Sequence, residues 1–239
     1  MDEIEARRDL AAAFRWCARH EMNEGVANHF SLALDDAGQT FLMNPAGRHW
    51  SLIKASDLVL LDASEEPDGV GTGIDPTAWA IHGALHRKHS GARCVMHLHT
   101  PYATALSALA DPVLPPVDQT TMRFYNRVSI DMGFDGMGLG DEAERLAGAL
   151  GNHRVMMMAQ HGVLTVGSSV AEAFDLIYYY ERGARTYMMA LQTGRPLNVA
   201  SAEVAEKTAQ QWEEYPDGWD AHMRGIRDVL DVEAPDYAH

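Results

Sequence analysis

Cysteine is nearly absent from this chain of 239 residues: Cys17 and Cys94 are the two present. Both sit in apolar contexts, so a disulfide framework is not expected and a reducing cytoplasm fits. Positive charge is scarce too. Nineteen Lys and Arg against 34 Asp and Glu leave a formal charge of -15, which argues against nucleic acid or an anionic membrane as a partner, since both demand a basic surface. No apolar run reaches ~18 residues and the start, MDEIEARRDL, is charged, so neither a membrane span nor a signal segment is expected. No Pro/Ser/Gly-rich linker divides the chain, and 46% hydrophobic with 22% charged residues describes one ordinary domain over 1–239 with a substantial core. Nucleotide and nucleophile fingerprints are also missing: there is no GxxxxGK[ST], no GxGxxG behind a strand and no GxSxG. Gly71-Thr-Gly73 reads as a turn. Small molecules remain as partners.

What the chain does hold is histidine at informative spacings. Arg93 to Leu109, RCVMHLHTPYATALSAL, sets two histidines one residue apart near the end of an apolar run and follows them with a helix start. In a β-strand alternate side chains share a face, so Val95, His97 and His99 point one way and Cys94, Met96 and Leu98 the other. A second apolar run, Val155 to Ala159, ends in Gln160-His161-Gly162 and resumes as VLTV, which places another histidine where one strand turns towards the next. Three neutral imidazoles from two strand ends, with no fourth protein ligand dictated, describe an open catalytic metal site. His97, His99 and His161 would be its ligands. Such a donor set suits Zn2+, Mn2+, Fe2+ or Co2+, and Zn2+ or Mn2+ is expected.

Around that centre the patterns predict an α/β chain. A helix from about Glu3 to His20 spaces Ile4, Leu10, Ala13, Phe14 and Cys17 at helical intervals. Phe30 to Leu34, Gln39 to Met43 and Leu58 to Leu61 read as an antiparallel meander. Asp75-Pro76 is the N-cap and first turn of a helix through about Lys88. A Pro101-initiated helix to about Ala110, a proline-rich loop over Pro112 to Gln119, a strand over Arg123 to Ile130 and a helix over Gly140 to Leu150 follow. Ser169-Val-Ala-Glu172 is a capping box for a long helix to about Gln192, with Phe174, Ile177, Tyr178 and Met188 on its buried side. Two short helical patterns and a polar tail complete the chain. His82 and His86 stand four apart on a predicted helix, but Gly83 replaces the Glu of HExxH, and with Arg87, Lys88 and His89 they read as a solvated face. Met156-Met157-Met158 reads as core.

Taken together these residues resemble the class II aldolase/adducin family. The likeness rests on Asn23-Glu24-Gly25 followed by His29-Phe30-Ser31, on Asn44-Pro45-Ala46-Gly47, on Ala55-Ser56-Asp57-Leu58, on HLHTPYATALSAL and on Gln160-His161-Gly162-Val163. It implies a three-layer α/β/α sandwich around a mostly antiparallel sheet, a homotetramer with active sites at subunit interfaces, and a catalytic divalent metal on His97, His99 and His161. Sugar-phosphate aldolases of that family carry a catalytic Glu nineteen residues before the first histidine, an offset that lands here on Ala78. Their phosphate-cradling positions correspond here to His29, Ala46-Gly47, Pro76 and Thr77. Adducin-like scaffold members lose the metal histidines, which this chain keeps.

The resemblance therefore implies a metal enzyme whose substrate is not a sugar phosphate. Retro-aldol cleavage must remove a hydroxyl proton and needs a base, whereas decarboxylation expels a group that carries no proton. A carboxylate at position 78 would also repel a substrate carboxylate placed there. The chain looks like the family's decarboxylases of hydroxylated aromatic or heteroaromatic dicarboxylates, of the 3-hydroxy-2-methylpyridine-4,5-dicarboxylate or dihydroxyphthalate type, with the metal as Lewis acid. In that reading Arg48, Gly47, Asn44, His49, Thr77 and Ala78 meet the substrate, Arg48 through a bidentate pair with a second carboxylate. His29 or Tyr125 supplies the proton that quenches the carbanion. Glu24 and Asp118 are further acidic candidates, and the tail containing Tyr237 is expected to reach an adjoining subunit. The competing readings are an aldolase or dehydratase acting on a non-phosphorylated hydroxy-keto acid, a 4-epimerase, and a metal-free adducin-like assembly module.

Overall fold

Strands form where short β-branched and apolar runs lie between turns, and among the described residues seven of them join in one sheet. The computed structural model describes residues 2–65, 73–89, 91–136, 141–215 and 217–239. β1 (His29–Ala33), β2 (Thr40–Met43), β3 (Val59–Asp62), β4 (Cys94–Leu98), β5 (Val128–Asp131), β6 (Val155–Met158) and β7 (Gly162–Gly167) lie in the order β3-β2-β1-β4-β7-β6-β5. Each pairing is antiparallel except β5 with β6 at one edge. The predicted meander is β1 to β3.

Helices form where a cap precedes an apolar stripe. α1 (Glu3–Arg19) opens on Asp2, whose carboxylate accepts from the Ile4 N–H, and buries Leu10, Phe14 and Cys17. α2 (Pro76–Lys88) opens on Asp75. α3 (Pro101–Ser107) has no side-chain cap of its own; Glu181, buried on the long helix α6 (Val170–Gln192), accepts from the Tyr102 and Ala103 N–H groups at 3.0 and 2.8 Å and from the Thr100 hydroxyl at 2.5 Å. The strand that carries His97, with His99 just beyond its end, is thereby tied to α6 at its exit. α1, α3, α6 and α8 (Gly218–Glu233) cover one face of the sheet, and α2 and α5 (Asp141–Leu150) cover the other. α4 (Gln119–Met122) packs on α6, and α7 (Ala202–Glu213) on α4.

Alternation along the strands fills three apolar clusters among the described residues, one of them around Ala33, Phe41, Met43 and Ala78. Phe30, Cys94, Met96, Leu98 and Met157 enter the one under α1 and α6, while Val95, Met156, Met158 and Leu164 enter the one under α2 and α5. The methionine run is core, split between the two sides. None of the described helices is long and apolar enough to cross a membrane.

Three expectations need correction. Residues 123–126 form a turn, with Asn126 at φ +55°, and the strand starts only at Val128; Asp118 and Thr121 cap one another at the start of α4, and these local bonds take the segment away from the sheet. α8 is a helix of 16 residues rather than a short one. Tyr237 does not leave its own chain: its ring is fully buried in the α1–α6 core and its hydroxyl donates to Asp231 at 2.8 Å. Of the predicted glycine turn, residues 71 and 72 lie outside the described residues, as does Gly140 ahead of α5.

Candidate metal centre

The central strands bring three histidines to one end of the sheet. His29 on β1 stands opposite His97 on β4, and Leu98 opposite Val163 on β7. Between β6 and β7 the chain reverses through Ala159-Gln160-His161, with Gln160 at φ +58° and the His161 N–H donating to the Met158 carbonyl at 3.1 Å. Gly162 then passes so close to β4 that a Cβ there would lie 2.5 Å from the Leu98 carbonyl oxygen and 3.0 Å from the His99 ring. No larger residue allows that approach. The rings of His97, His99 and His161 consequently sit with centroids 4.7 to 4.9 Å apart.

One nitrogen of each ring can serve as a ligand, and these atoms all lie within 4.8 Å of one another. The Nδ1–H of His97 donates to the Val163 carbonyl at 3.2 Å, and Nδ1 of His99 is 2.5 Å from a Glu24 carboxylate oxygen. Both Nε2 atoms are left free, 3.0 Å apart. Carbonyl and carboxylate partners of this kind orient metal-bound imidazoles and fix their tautomers. Asn28, held at φ +74°, supports the arrangement by accepting from the Glu24 and His99 N–H groups at 3.3 and 3.2 Å. Burial holds the His97 imidazole well below its ordinary value, and burial with the neighbouring His99 lowers His161 to about 4. Neutral rings with convergent lone pairs are what a divalent cation requires. Among the described residues no other group of three potential ligands converges this closely.

A cleft of about 680 Å3 opens over the three rings, bounded by Glu24, Asn28, His29, Asp75, Thr77 and Phe134. A smaller cavity of about 260 Å3 shares Asn28, His29 and Asp75 and adds Asn44, Gly47 and Ala78. His29, Asn44, Gly47, Thr77 and Ala78 are therefore brought together beside the triad. Three predicted site residues are not. Arg48 pairs with Asp57 at 3.4 Å and donates to the Leu52 carbonyl; His49 accepts from the Ser51 N–H as the cap of a short helix, Trp50–Leu52; Tyr125 lies in the turn after α4. Asp118 serves that helix as its cap, whereas Glu24 is at the cleft.

Position 78 carries no carboxylate, but Asp75 sets one on the wall of both cavities. Burial opposes its ionisation, but the Thr77 hydroxyl and the adjacent His29 hold its carboxyl below the usual range. One reading of the sequence is overturned: His82 and His86 are not solvated, being 0% and 4% exposed. Ala78, Ile81, His82 and Leu85 form the inward stripe of α2, which turns Arg87 and Lys88 outwards. That i, i+3, i+4, i+7 stripe is readable from spacing and was the signal to use. Ser31, which bonds to both rings, was also missed. It shares the His29 face of β1 by simple alternation.

Comparison with known proteins bears on this geometry. The family model described as class II aldolase and adducin N-terminal domain matches residues 8–188. A solved aldolase II superfamily protein from Pseudomonas syringae superposes with a TM-score of 0.88 at 31% identity, covering 99% of this chain and 96% of its own. Decarboxylase NovR of Streptomyces niveus is 29% identical over 89% of this chain and 79% of its own length. A protein of Streptomyces roseochromogenus named 4-hydroxy-3-prenylphenylpyruvate oxygenase/4-hydroxy-3-prenylbenzoate synthase is also 29% identical, over 89% of this chain and 77% of its own.

Proposed function

This chain belongs to the class II aldolase and adducin N-terminal domain family, and on that premise we propose that it is a divalent-metal-dependent lyase releasing CO2 from a hydroxylated aromatic or heteroaromatic acid. The observation that carries the reading is an intact three-histidine donor cluster beside a pocket whose wall at position 78 is a fully buried alanine. One relative is named a decarboxylase, which supports CO2 release, and the other, named an oxygenase and a 4-hydroxy-3-prenylbenzoate synthase, supports only the hydroxylated aromatic class of acid.

The start of α2 argues against a phosphorylated substrate. Helix N-termini hold phosphate through free N–H groups, but here one Asp75 oxygen already accepts from the Thr77 N–H and hydroxyl at 2.8 and 2.7 Å and from the Ala78 N–H at 3.5 Å. A second anion there would meet an ionised carboxylate. His97, His99 and His161 would hold the cation, which when bound supplies a Lewis acid for negative charge developing on the substrate oxygen. Zn2+ or Mn2+ is the proposed metal. The chain's own residues do the rest. Glu24 keeps His99 turned towards the centre, Asn44 and Gly47 wall the inner cavity, and His29, almost fully buried between triad and cavity, exchanges a proton with substrate.

Assembly as a homotetramer with clefts at subunit interfaces is part of the proposal. Arg48, His49 and Tyr125 stand outside the cleft of their own chain and touch substrate only if a neighbouring subunit's cleft receives them. The test is to load purified protein with Zn2+ or Mn2+, supply a panel of hydroxylated benzoates, phthalates and pyridine dicarboxylates with and without oxygen, and assay CO2. Release that disappears in His97→Ala is expected. Absence of CO2 from every acid, alongside clean aldol cleavage, refutes the assignment. Asp75 favours a second reading, an aldolase or dehydratase on a non-phosphorylated hydroxy-keto acid, because a carboxylate in the cleft supplies the base that cleavage needs. Carbonyl products without CO2 would establish it.

A further inference from the structure

Behind the cleft, α2 and β1 form a ladder. Two residues along a strand advance about 6.6 Å and four along a helix about 6.0 Å, so His29 and Ser31 meet His82 and His86 almost in register, and in the same order. Nδ1 of His29 is 2.7 Å from Nε2 of His82, Nδ1 of His82 is 2.5 Å from the Ser31 hydroxyl, and that hydroxyl is 2.7 Å from Nε2 of His86. At the far end Nδ1 of His86 is 2.7 Å from the Ala92 carbonyl oxygen. All four side chains are buried, with His29 the most exposed at 7%.

The carbonyl decides every proton in the series, because it can only accept. His86 must donate to it from Nδ1. Burial holds His86 at about 4 and His82 well below the ordinary value, so both rings are neutral and carry one proton each. Nε2 of His86 then accepts from the Ser31 hydroxyl, Ser31 accepts from Nδ1–H of His82, and Nε2 of His82 accepts from Nδ1–H of His29. The nitrogen of His29 left over is Nε2, a bare lone pair on a ring that lines the cleft.

We infer that His82, Ser31 and His86 are positioning residues that lock His29 in its Nδ1–H tautomer and so make it a proton acceptor towards substrate. This rests on the role given to His29 above and sharpens it. A neutral His29 so held has no proton to give at Nε2. It first takes the proton of the substrate's ring hydroxyl, leaving an oxyanion; the bond from the ring to the carboxylate then breaks with its electrons staying on the ring, CO2 leaves, and the same proton passes from Nε2 to the ring carbon. The sequence returns His29 to its starting state, and the oxyanion recovers a proton from water.

The test reads tautomers directly, by nitrogen-15 spectroscopy of histidine side chains in the zinc-loaded protein. Wild type should show protonated Nδ1 and bare Nε2 at His29, His82 and His86. A proton on Nε2 of His29 overturns the inference with no variant needed. Ser31→Ala and His86→Leu, which cut the series, should turn His29 into a mixture of tautomers and lower kcat about tenfold or more with KM changed less than twofold. His86→Gln, whose amide oxygen can still accept from Ser31, should restore the Nδ1–H form and most of kcat. Unchanged tautomers in a folded Ser31→Ala protein, or a Gln variant no better than Leu, would also overturn it. The spectra are informative whether or not CO2 is released, so failure of the decarboxylase reading and failure of the ladder are separate results.

Discussion

Two sets of histidines lie side by side, one at the ends of β4 and β7 and one between β1 and α2, and they differ in how their nitrogens are spent. In the triad, His97 and His99 each commit Nδ1 to an oxygen and leave Nε2 open towards the others. In the ladder, His82 and His86 commit both nitrogens, and nothing remains for a cation. Burial lowers the basicity of His97 and His161 as it does that of His82 and His86, so pKa does not separate triad from ladder. The count of unspent lone pairs does. His29 belongs to the ladder through Nδ1 and to the cleft through Nε2, which is why it is the ring best placed to act on substrate.

Experiments can break that contrast from either side. The largest effect is expected at the triad, where His97→Ala or His161→Ala should cut bound metal and CO2 release by about a hundredfold or more, checked by elemental analysis and turnover. The ladder should fail next, under acid. His86 is held at about 4 in the fold against an ordinary 6.5, so the unfolded chain binds more protons between those values and stability rises with pH across them. Its contribution, about 3 kcal/mol, is fully present above pH 6.5 and is lost as pH falls towards 4. Urea titrations from pH 7 to 4.5 should show the slope in the wild type and a shallower one in His86→Gln. A smaller effect is expected at Glu24→Gln, which keeps a hydrogen-bonding group beside His99 but removes its charge: metal affinity should fall about tenfold, read by chelator competition. Smallest of all is Asp75→Asn, which retains the cap of α2 and should lower KM for a dicarboxylate by less than about fivefold, equivalent to about 1 kcal/mol of relieved repulsion. An unchanged KM would place Asp75 away from the substrate's charge.

Much of this was visible in the sequence because the triad depends on local rules. Alternation sets His97 and His99 on one face, and a strand run broken at Gln160-His161-Gly162 marks the hairpin. The caps of α2 and α6 stand where Asp75 and Ser169 predict them. The ladder was hidden for a different reason. Its rungs are 53 and 55 residues apart and exist only once α2 docks on β1. Arg87, Lys88 and His89 beside them suggested a wet surface, although the helical stripe through Ala78 and Leu85 pointed inwards. Asp75 shows the same limit, since its capping role was plain while its place on the cleft wall depends on where the helix begins relative to β1. Arg48 and His49 were proposed from proximity in sequence to cleft residues, and the tight turn at Gly47 carries them away from their own chain's cleft; Tyr125 was proposed as a donor on a strand, where the chain instead turns at Asn126.

The hydrogen atom that Gly162 carries in place of a side chain sets the gauge of the metal centre independently of its chemistry. Replacing a histidine alters which ion is preferred while the strands keep their separation; adding one methyl group at 162 would push β7 from β4 and widen the nest without touching a single donor. Anyone wishing to retune this protein for another ion thus has two separate dials, and the second is a residue that binds nothing.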